Sequence, residues 1–326
     1  MHKPYQTIDE QIAILRSRRV ATTEETAYIL RREGYYAVVN GYKDLFLDSG
    51  CSDREERYIP GTEFNQLYML FKFDRRLREL LFKAILQAEA TFKTTCAQEF
   101  TKVHANQINP YLDANNYENP SEAGNLTAVF NKILHPRDPS RIKNYIRHYL
   151  DSFGGEVPLW VLSNDLTLGQ TLWFYQKIPD DVRRSISDGF SLLYESTHDR
   201  PRRITTVRLE KIYMRLAYFR NICAHDERLY CSHRDGRINE SVYQAIQDLG
   251  YVMDSNKYSL LLIEVGKLLH RLRRQLPNQY ADVCRFAGID DIEKPLSKLM
   301  DMFEVRQRCS PPRRWFVESL RNNYLS

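Results

Sequence analysis

The sequence predicts an all-α protein, and three observations support this class. Long stretches carry apolar residues at helical spacing. Only 13 Gly and 13 Pro interrupt 326 residues, which favours long helices over many short strands. Hydrophobic residues make up 43% of the chain, enough to form a sizeable core. A chain of this length corresponds to roughly two domains, or to one large helical domain with appendages. We therefore expect a helical bundle with one long spine helix and an additional helical lobe.

The N-terminal segment predicts two short helices. A capping box at Thr7–Glu10 begins the first helix, which should end near Arg18. A second cap, Thr22–Glu25, begins another helix that should end at Gly34. The apolar segment 35–42 predicts a further short helix and a turn.

The longest predicted element follows a polar loop at 48–61. From Phe64 to about residue 102 the apolar residues keep a helical period without Pro or Gly. A helix of about 38 residues would span ~57 Å, so we expect it to form the spine of the bundle. The segment 104–128 contains no Lys or Arg and several Asn and Pro, which indicates a linker or lobe boundary.

The remaining chain predicts further helices and a division into four segments. Helical periods occur at 121–134, 140–150, 170–177, 180–194, 203–223, 239–250, 257–275 and 278–286, with weaker signals at 291–305 and 313–322. The predicted segments are 1–103, with the spine helix; 104–156, a linker and helical insertion; 157–286, the later helices; and 287–326, a C-terminal tail. Trp160 is expected in the core.

The charge is unevenly distributed. The chain carries a net charge of +5, but residues 200–237 alone contain ten Lys or Arg and four Asp or Glu. Further basic clusters lie at 267–274 and 306–314. Because the Arg guanidinium binds phosphates and stacks on bases, these clusters predict an RNA-binding surface. The alternative is solvated helix faces with a few ion pairs. The candidate RNA-binding residues are Arg200, Arg202, Arg203, Arg208, Lys211, Arg228, Lys267, Arg271, Arg273, Arg274, Arg313 and Arg314.

Several function classes lack their motifs. The sequence contains no P-loop, Rossmann glycine motif, nucleophile elbow or HExxH zinc motif. No two of the six cysteines are spaced as C-x-x-C, so we expect reduced thiols, no metal and no cofactor. The N-terminus has no apolar signal segment, and no stretch has the length and apolarity of a transmembrane helix. We expect a soluble cytoplasmic protein without membrane contact.

One Arg/His pair combines residues suited to RNA chemistry. Metal-free RNA cleavage needs a base, an acid and a cation for the phosphorane, which His and Arg supply. Arg followed by His after four to six residues is the pattern of small helical ribonucleases, but about two matches are expected by chance in this chain. Three occur: Arg220/His225, Arg228/His233 and Arg141/His148.

The geometry of an ideal helix separates the residues of the first pair. Asn221 and His225 are four residues apart and share a face, so Asn221 could orient the imidazole. Arg220 lies about 140° from His225, so it must reach around or the helix must loosen near Cys223. Two protomers meeting at a two-fold axis would instead supply two His and two Arg to one site.

The segment Arg220-Asn221-Ile222-Cys223-Ala224-His225, followed by Arg228-Leu229-Tyr230, resembles the signature of bacterial abortive-infection proteins of the AbiD/AbiF type, in the HEPN superfamily. Further agreement, over about residues 3 to 285, lies at Lys3-Pro4, Tyr35-Tyr36, Gly41-Tyr42, Phe73-Asp74-Arg75-x-Leu77-Arg78, Glu89, Pro158-x-Trp160 and Leu168-Gly169.

This resemblance implies an all-α HEPN ribonuclease that works without metal as a homodimer, in phage defence or a toxin–antitoxin pair. It also implies control by a structured non-coding RNA. Arg220, Asn221 and His225 are then the catalytic candidates. The family often has a second His and an Asn where this chain has Asp226 and Cys231. Arg75, Arg78 and Glu89 are expected to form structural ion pairs.

Two other hypotheses remain open. One is a HEPN-type RNA-binding or regulatory protein without catalytic activity, in which the basic clusters matter and the Arg/His pair does not. The other is a scaffold for protein–protein contacts whose basic faces only keep it in solution. Salt-dependent RNA binding separates the scaffold from both RNA hypotheses.

Overall fold

The computed structural model describes residues 5–48, 50 and 56–289. This part of the chain is α-helical, with short 3-10 and π turns, and its only β features are two isolated bridges. The prediction of an all-α bundle is confirmed. The helices are α1 (Ile8–Ser17), α2 (Glu24–Glu33), α3 (Phe64–Val103), α4 (Pro120–Leu134), α5 (Asn144–Ser152), α6 (Leu159–Leu162), α7 (Leu168–Lys177), α8 (Asp180–Thr197), α9 (Thr206–Ala224), α10 (Val242–Val252), α11 (Ser255–Gln275) and α12 (Pro277–Ala287).

The chain divides into two compact units. Among the described residues, those up to residue 73 and from residue 259 onward form the first unit, and residues 74–258 form the second. The predicted spine helix, α3, is 40 residues long and begins in the first unit. The four-segment division at residues 103, 156 and 286 stays a prediction. No helix in the described residues is both long and apolar enough to cross a membrane.

In the first unit, α1 and α2 pack against each other and begin at caps. The predicted Thr7–Glu10 capping box is present, with the Thr7 N–H donating to Glu10 Oε2 at 2.7 Å. The second cap lies one residue later than predicted, because the Thr23 N–H donates to Thr26 Oγ1 at 3.0 Å. The Thr22 hydroxyl is engaged elsewhere and accepts from Arg16 Nε at 2.8 Å.

In the second unit, α9 lies in the core. The ring of Tyr213 on α9 stacks on Phe92 of α3 at 3.8 Å, and its hydroxyl donates to the Ala88 carbonyl at 2.9 Å. Phe92 also packs against Tyr175 of α7 and Phe190 of α8. Helices α7, α8 and α10 all contact α9. The core therefore fixes the helix that carries the Arg/His pair.

The segment before α7 contains one wrong prediction. Trp160 is 50% exposed and does not lie in the core. Helix α6 has only four residues, and Leu159 and Leu162 are its buried members. Because residues three positions apart on a helix lie on the same face, these two leucines fill the inward side and Trp160 faces solvent.

Candidate functional site

Helix α9 stays α-helical from Arg220 to its last residue, Ala224, and His225 is its C-terminal capping residue. The N–H of His225 donates to the Asn221 carbonyl at 3.0 Å. Asp226 then adopts a left-handed conformation with φ 56°, and the next N–H returns to the Ile222 carbonyl at 3.1 Å. This pattern is typical of a Schellman helix end, with Asp226 where glycine is common. The helix therefore does not loosen between Arg220 and His225.

One face of α9 carries the catalytic candidates Asn221 and His225 toward solvent. Residues three or four apart lie on the same side of a helix, so this open face is a continuous stripe. It consists of Val207, Lys211, Met214, Tyr218, Asn221 and His225. Met214 and Tyr218 are half-buried, and the other four are exposed.

Arg220 lies on another side of α9, against α3. Its Nε is 3.7 Å from Glu89 Oε2, and its guanidinium carbon is 6.0 Å from the centroid of the Phe82 ring. Glu89 is buried, and its other oxygen pairs with Lys93 Nζ at 2.7 Å. The Arg220 side chain remains 28% exposed. Arg220 is thus anchored to α3 while part of its guanidinium stays accessible.

A buried ion pair fixes the chain beyond His225. Arg78 Nη1 donates to Asp74 Oδ2 at 2.6 Å and to the Glu227 carbonyl at 2.9 Å, while Nη2 donates to Asp226 Oδ1 at 2.5 Å. The Asp74 carboxylate accepts the backbone N–H groups of Leu229 at 2.9 Å and of the next residue at 2.7 Å. We call this network the Asp74–Arg78 clamp.

The clamp connects the motif at Phe73–Arg78 with the motif at Arg220–Tyr230, which lies far from it in the sequence. The four-residue spacing of Asp74 and Arg78 indicates an ion pair on one helix, but no spacing points to Asp226 or to the N–H groups of 229–230. Arg78 is structural, as expected, whereas Glu89 pairs with Lys93 and Arg220. Asp226 therefore has a structural role at the position where the family often has a second histidine.

The two cysteines near the motif are not activated nucleophiles. Burial raises the pKa of the Cys223 thiol to about 12. Burial also raises the pKa of the Cys231 thiol, although Arg228 opposes the shift. Because these pKa values are raised, both thiols are protonated at neutral pH. The thiolate is the reactive form of cysteine, so neither side chain is an activated nucleophile. Among the described residues, no group of three or more His, Cys, Asp or Glu is arranged to hold a metal ion.

One arginine of the basic segment 200–237 is a core residue. Arg215 is buried, with Nη2 2.8 Å from Glu240 Oε1 and Nη1 bonded to Asp248. Burial raises the pKa of Asp248 to about 6, against the opposing effect of Arg215. Arg234 also pairs with Glu240, at 2.8 Å. Acids outside the segment therefore neutralise part of the local positive charge counted from the sequence.

The described RNA-binding candidates are all exposed. In the second unit they are Arg200, Arg202, Arg203, Arg208, Lys211 and Arg228; in the first unit they are Lys267, Arg271, Arg273 and Arg274. Arg313 and Arg314, and with them the cluster 306–314, lie outside the described residues. The guanidinium carbons of Arg202 and Arg208 each lie 4.8 Å from the centroid of the Tyr251 ring. RNA binding by these residues stays a prediction.

Comparison with known proteins identifies the family. A family model described as Abi-like protein matches residues 28–231, more than half of the chain. The match includes the clamp and the Arg220–His225 segment. No significant match links the sequence to a curated protein or to a solved structure. On the family match, the chain belongs to the Abi-like protein family.

Proposed function

We propose that this protein is a metal-independent endoribonuclease of HEPN type that acts as a toxin in abortive infection or in a toxin–antitoxin pair. The observation that carries the proposal is the end of α9, where His225 is exposed and Arg220 is anchored by Glu89. Membership of the Abi-like family suggests the role in abortive infection, a form of phage defence.

The reaction is an internal transesterification of RNA. The 2′-oxygen forms a bond to the adjacent phosphorus, and the bond from phosphorus to the 5′-oxygen breaks. A neutral imidazole takes the proton of the 2′-hydroxyl, and an imidazolium gives a proton to the leaving 5′-oxygen. A guanidinium balances the charge of the phosphorane. The products are a 2′,3′-cyclic phosphate and a 5′-hydroxyl.

Arg220 is suited to the cation role because its ion pair is open. The 3.7 Å separation from Glu89 exceeds a hydrogen bond, and Arg220 Nε and Glu89 Oε2 are both buried without a hydrogen-bond partner. Glu89 thus holds the guanidinium in place by charge without engaging this N–H. A phosphate at the exposed part of Arg220 would meet a positioned cation.

A homodimer would complete the chemistry. One chain offers one His225, and Arg220 lies on a different side of α9. A second copy packed on the open face would supply the second imidazole, one as base and one as acid. Val207, which is 61% exposed, and Met214 give this face apolar contact area.

Control by a structured non-coding RNA is part of the proposal. The exposed arginines of 200–211 offer several phosphate contacts beyond the one phosphate being cleaved. The same residues would serve an RNA-binding protein without catalytic activity, so binding alone does not separate the two functions. Cleavage does.

The decisive experiment incubates the purified protein with RNA in the presence and absence of EDTA. We expect equal cleavage in both, 2′,3′-cyclic phosphate ends, and no cleavage where the 2′-hydroxyl is replaced by hydrogen. Loss of cleavage on chelation would contradict the metal-independent mechanism. Salt-dependent RNA binding without cleavage would instead support the RNA-binding alternative.

A further inference from the structure

The second unit contains a cleft of about 190 Å³ between α3, α8, α10 and the start of α11. Its lining includes Gln87 and Thr91 of α3, Leu193 of α8 and Lys257 of α11. Arg220, Asn221 and His225 are not among the lining residues. The cleft is therefore separate from the proposed cleavage site.

Two tyrosine rings form part of the wall. The centroids of Tyr194 and Tyr251 lie 6.4 Å apart, and their planes differ by 28°. Tyr194 is supported from behind by His198, whose ring stacks on it at 3.7 Å. His198 Nδ1 lies 2.9 Å from the Tyr194 carbonyl, which fixes the supporting ring. The cleft thus presents positioned aromatic surfaces, to which flat rings bind well.

The rim of the cleft is positively charged. The guanidinium groups of Arg202 and Arg208 lie over the Tyr251 ring, and the exposed Lys257 lines the cleft. Asp254 is the one acid in the lining. Its Oδ1 accepts the backbone N–H groups of residues 256 and 257, at 3.0 and 3.1 Å. Lys257 thus lines the cleft and two arginines lie over one of its lining rings, while the single carboxylate of the lining already caps α11.

We propose that this cleft binds a nucleotide, with the base against Tyr194 and Tyr251 and the phosphate at Arg202, Arg208 and Lys257. A nucleotide combines a flat aromatic ring with an anionic group, which matches the aromatic wall and the basic rim. Two sources share this chemistry: a free mononucleotide and an unpaired nucleotide of an RNA strand. The inference does not depend on RNA cleavage.

Equilibrium dialysis of the full chain tests the proposal with three probes: AMP, ribose 5-phosphate, and a single-stranded 2′-O-methyl pentanucleotide, which has no 2′-hydroxyl to react. We expect AMP or the pentanucleotide to bind about tenfold or more tightly than ribose 5-phosphate, because base stacking supplies much of the affinity. Tyr251→Ala should weaken that binding by about tenfold. The double variant Arg202→Ala/Arg208→Ala should weaken it and reduce its salt dependence.

Two further variants make the result decisive. Leu193→Trp fills the cleft from a half-exposed position and should block binding even if Tyr251→Ala fails to fold. Arg31→Ala removes an exposed arginine of the first unit that is not among the candidate RNA-binding residues and should leave AMP binding unchanged. Binding of AMP assigns the site to a free nucleotide, and binding of the pentanucleotide alone assigns it to an RNA strand. No binding of either probe, or binding that Leu193→Trp leaves unchanged, would overturn the proposal.

Discussion

Arg78 and Asp226 are 148 residues apart in the sequence, and their side chains form an ion pair with Nη2 2.5 Å from Oδ1. Arg78 is buried on α3, and Asp226 is the residue that reverses the chain after α9. The same guanidinium binds Asp74, which in turn holds the N–H groups of 229–230. The end of α9, with His225, is therefore tied to the spine helix.

Removing the cation of the clamp should strongly destabilise the protein. Arg78→Met leaves the Asp74 carboxylate buried without its counter-charge, which costs about 3–5 kcal/mol in similar cases. Urea denaturation measures the change in the free energy of unfolding. The control is Arg76→Met, since Arg76 is exposed and pairs with Glu79 at the surface. That change should cost less than about 1 kcal/mol. Equal effects of both substitutions would contradict the role of the clamp.

Catalysis should depend on His225 and Arg220. His225→Ala and Arg220→Ala should each lower RNA cleavage by at least about 100-fold, because an acid–base group or the phosphate cation is lost. Because His225 is exposed, its substitution should not change the thermal melting curve. His135→Ala is the matched control and should leave cleavage unchanged. His135 is also an exposed residue at a helix end, and its N–H donates to an Asn carbonyl four residues earlier. Cleavage that survives His225→Ala would exclude the proposed site.

The open face of α9 should hold two copies together. Met214→Glu places a charge at the centre of this face, so we expect the dimer to dissociate and cleavage to disappear while the helix content stays unchanged. Light scattering gives the oligomeric state. Val103→Glu is the control, because Val103 is also exposed but lies at the end of α3. A fully active monomer would rule out a composite site.

RNA binding should depend on salt through the residues before and within α9. The triple variant Arg200→Ala/Arg203→Ala/Lys211→Ala should reduce the slope of log K against log salt concentration by about two to three. Filter binding at several salt concentrations measures the slope. The matched control replaces three exposed cations elsewhere in the second unit, Lys102, Arg137 and Arg141. If both triple variants change the slope equally, the 200–211 surface has no special role.

The buried Asp248 should make stability fall as pH rises. Burial raises its pKa to about 6, above the ordinary value of 3.8, so between these values the folded state binds a proton that the unfolded state has lost. This contribution to stability is present at low pH and disappears as pH rises through 6. Asp248→Asn cannot ionise, so its stability relative to the natural protein should increase by about 1 kcal/mol between pH 5 and 7.5. Denaturation at the two pH values tests this, with Asp254→Asn as the control.

Local sequence signals predicted the helices well because they act over a few residues. The Thr7–Glu10 box formed as expected, and the uninterrupted apolar period from Phe64 predicted α3 to within a few residues of its observed end. The cap of α2 was displaced by one residue because Thr22 binds the side chain of Arg16. Trp160 was misjudged because apolar character does not say which side of a four-residue helix faces the core.

The sequence by itself determined the helical class, the position of α9 and the presence of Arg220 and His225 near its end. Only the tertiary structure decided what these residues contact: Glu89 beside Arg220, the open face with His225, and the clamp that joins Asp74 and Arg78 to residues 226–230. The physical reason is the distance along the sequence over which each kind of interaction acts. Hydrophobic period and capping act between residues three or four apart. An ion pair between residues about 150 positions apart forms only after the core has brought α3 and α9 together.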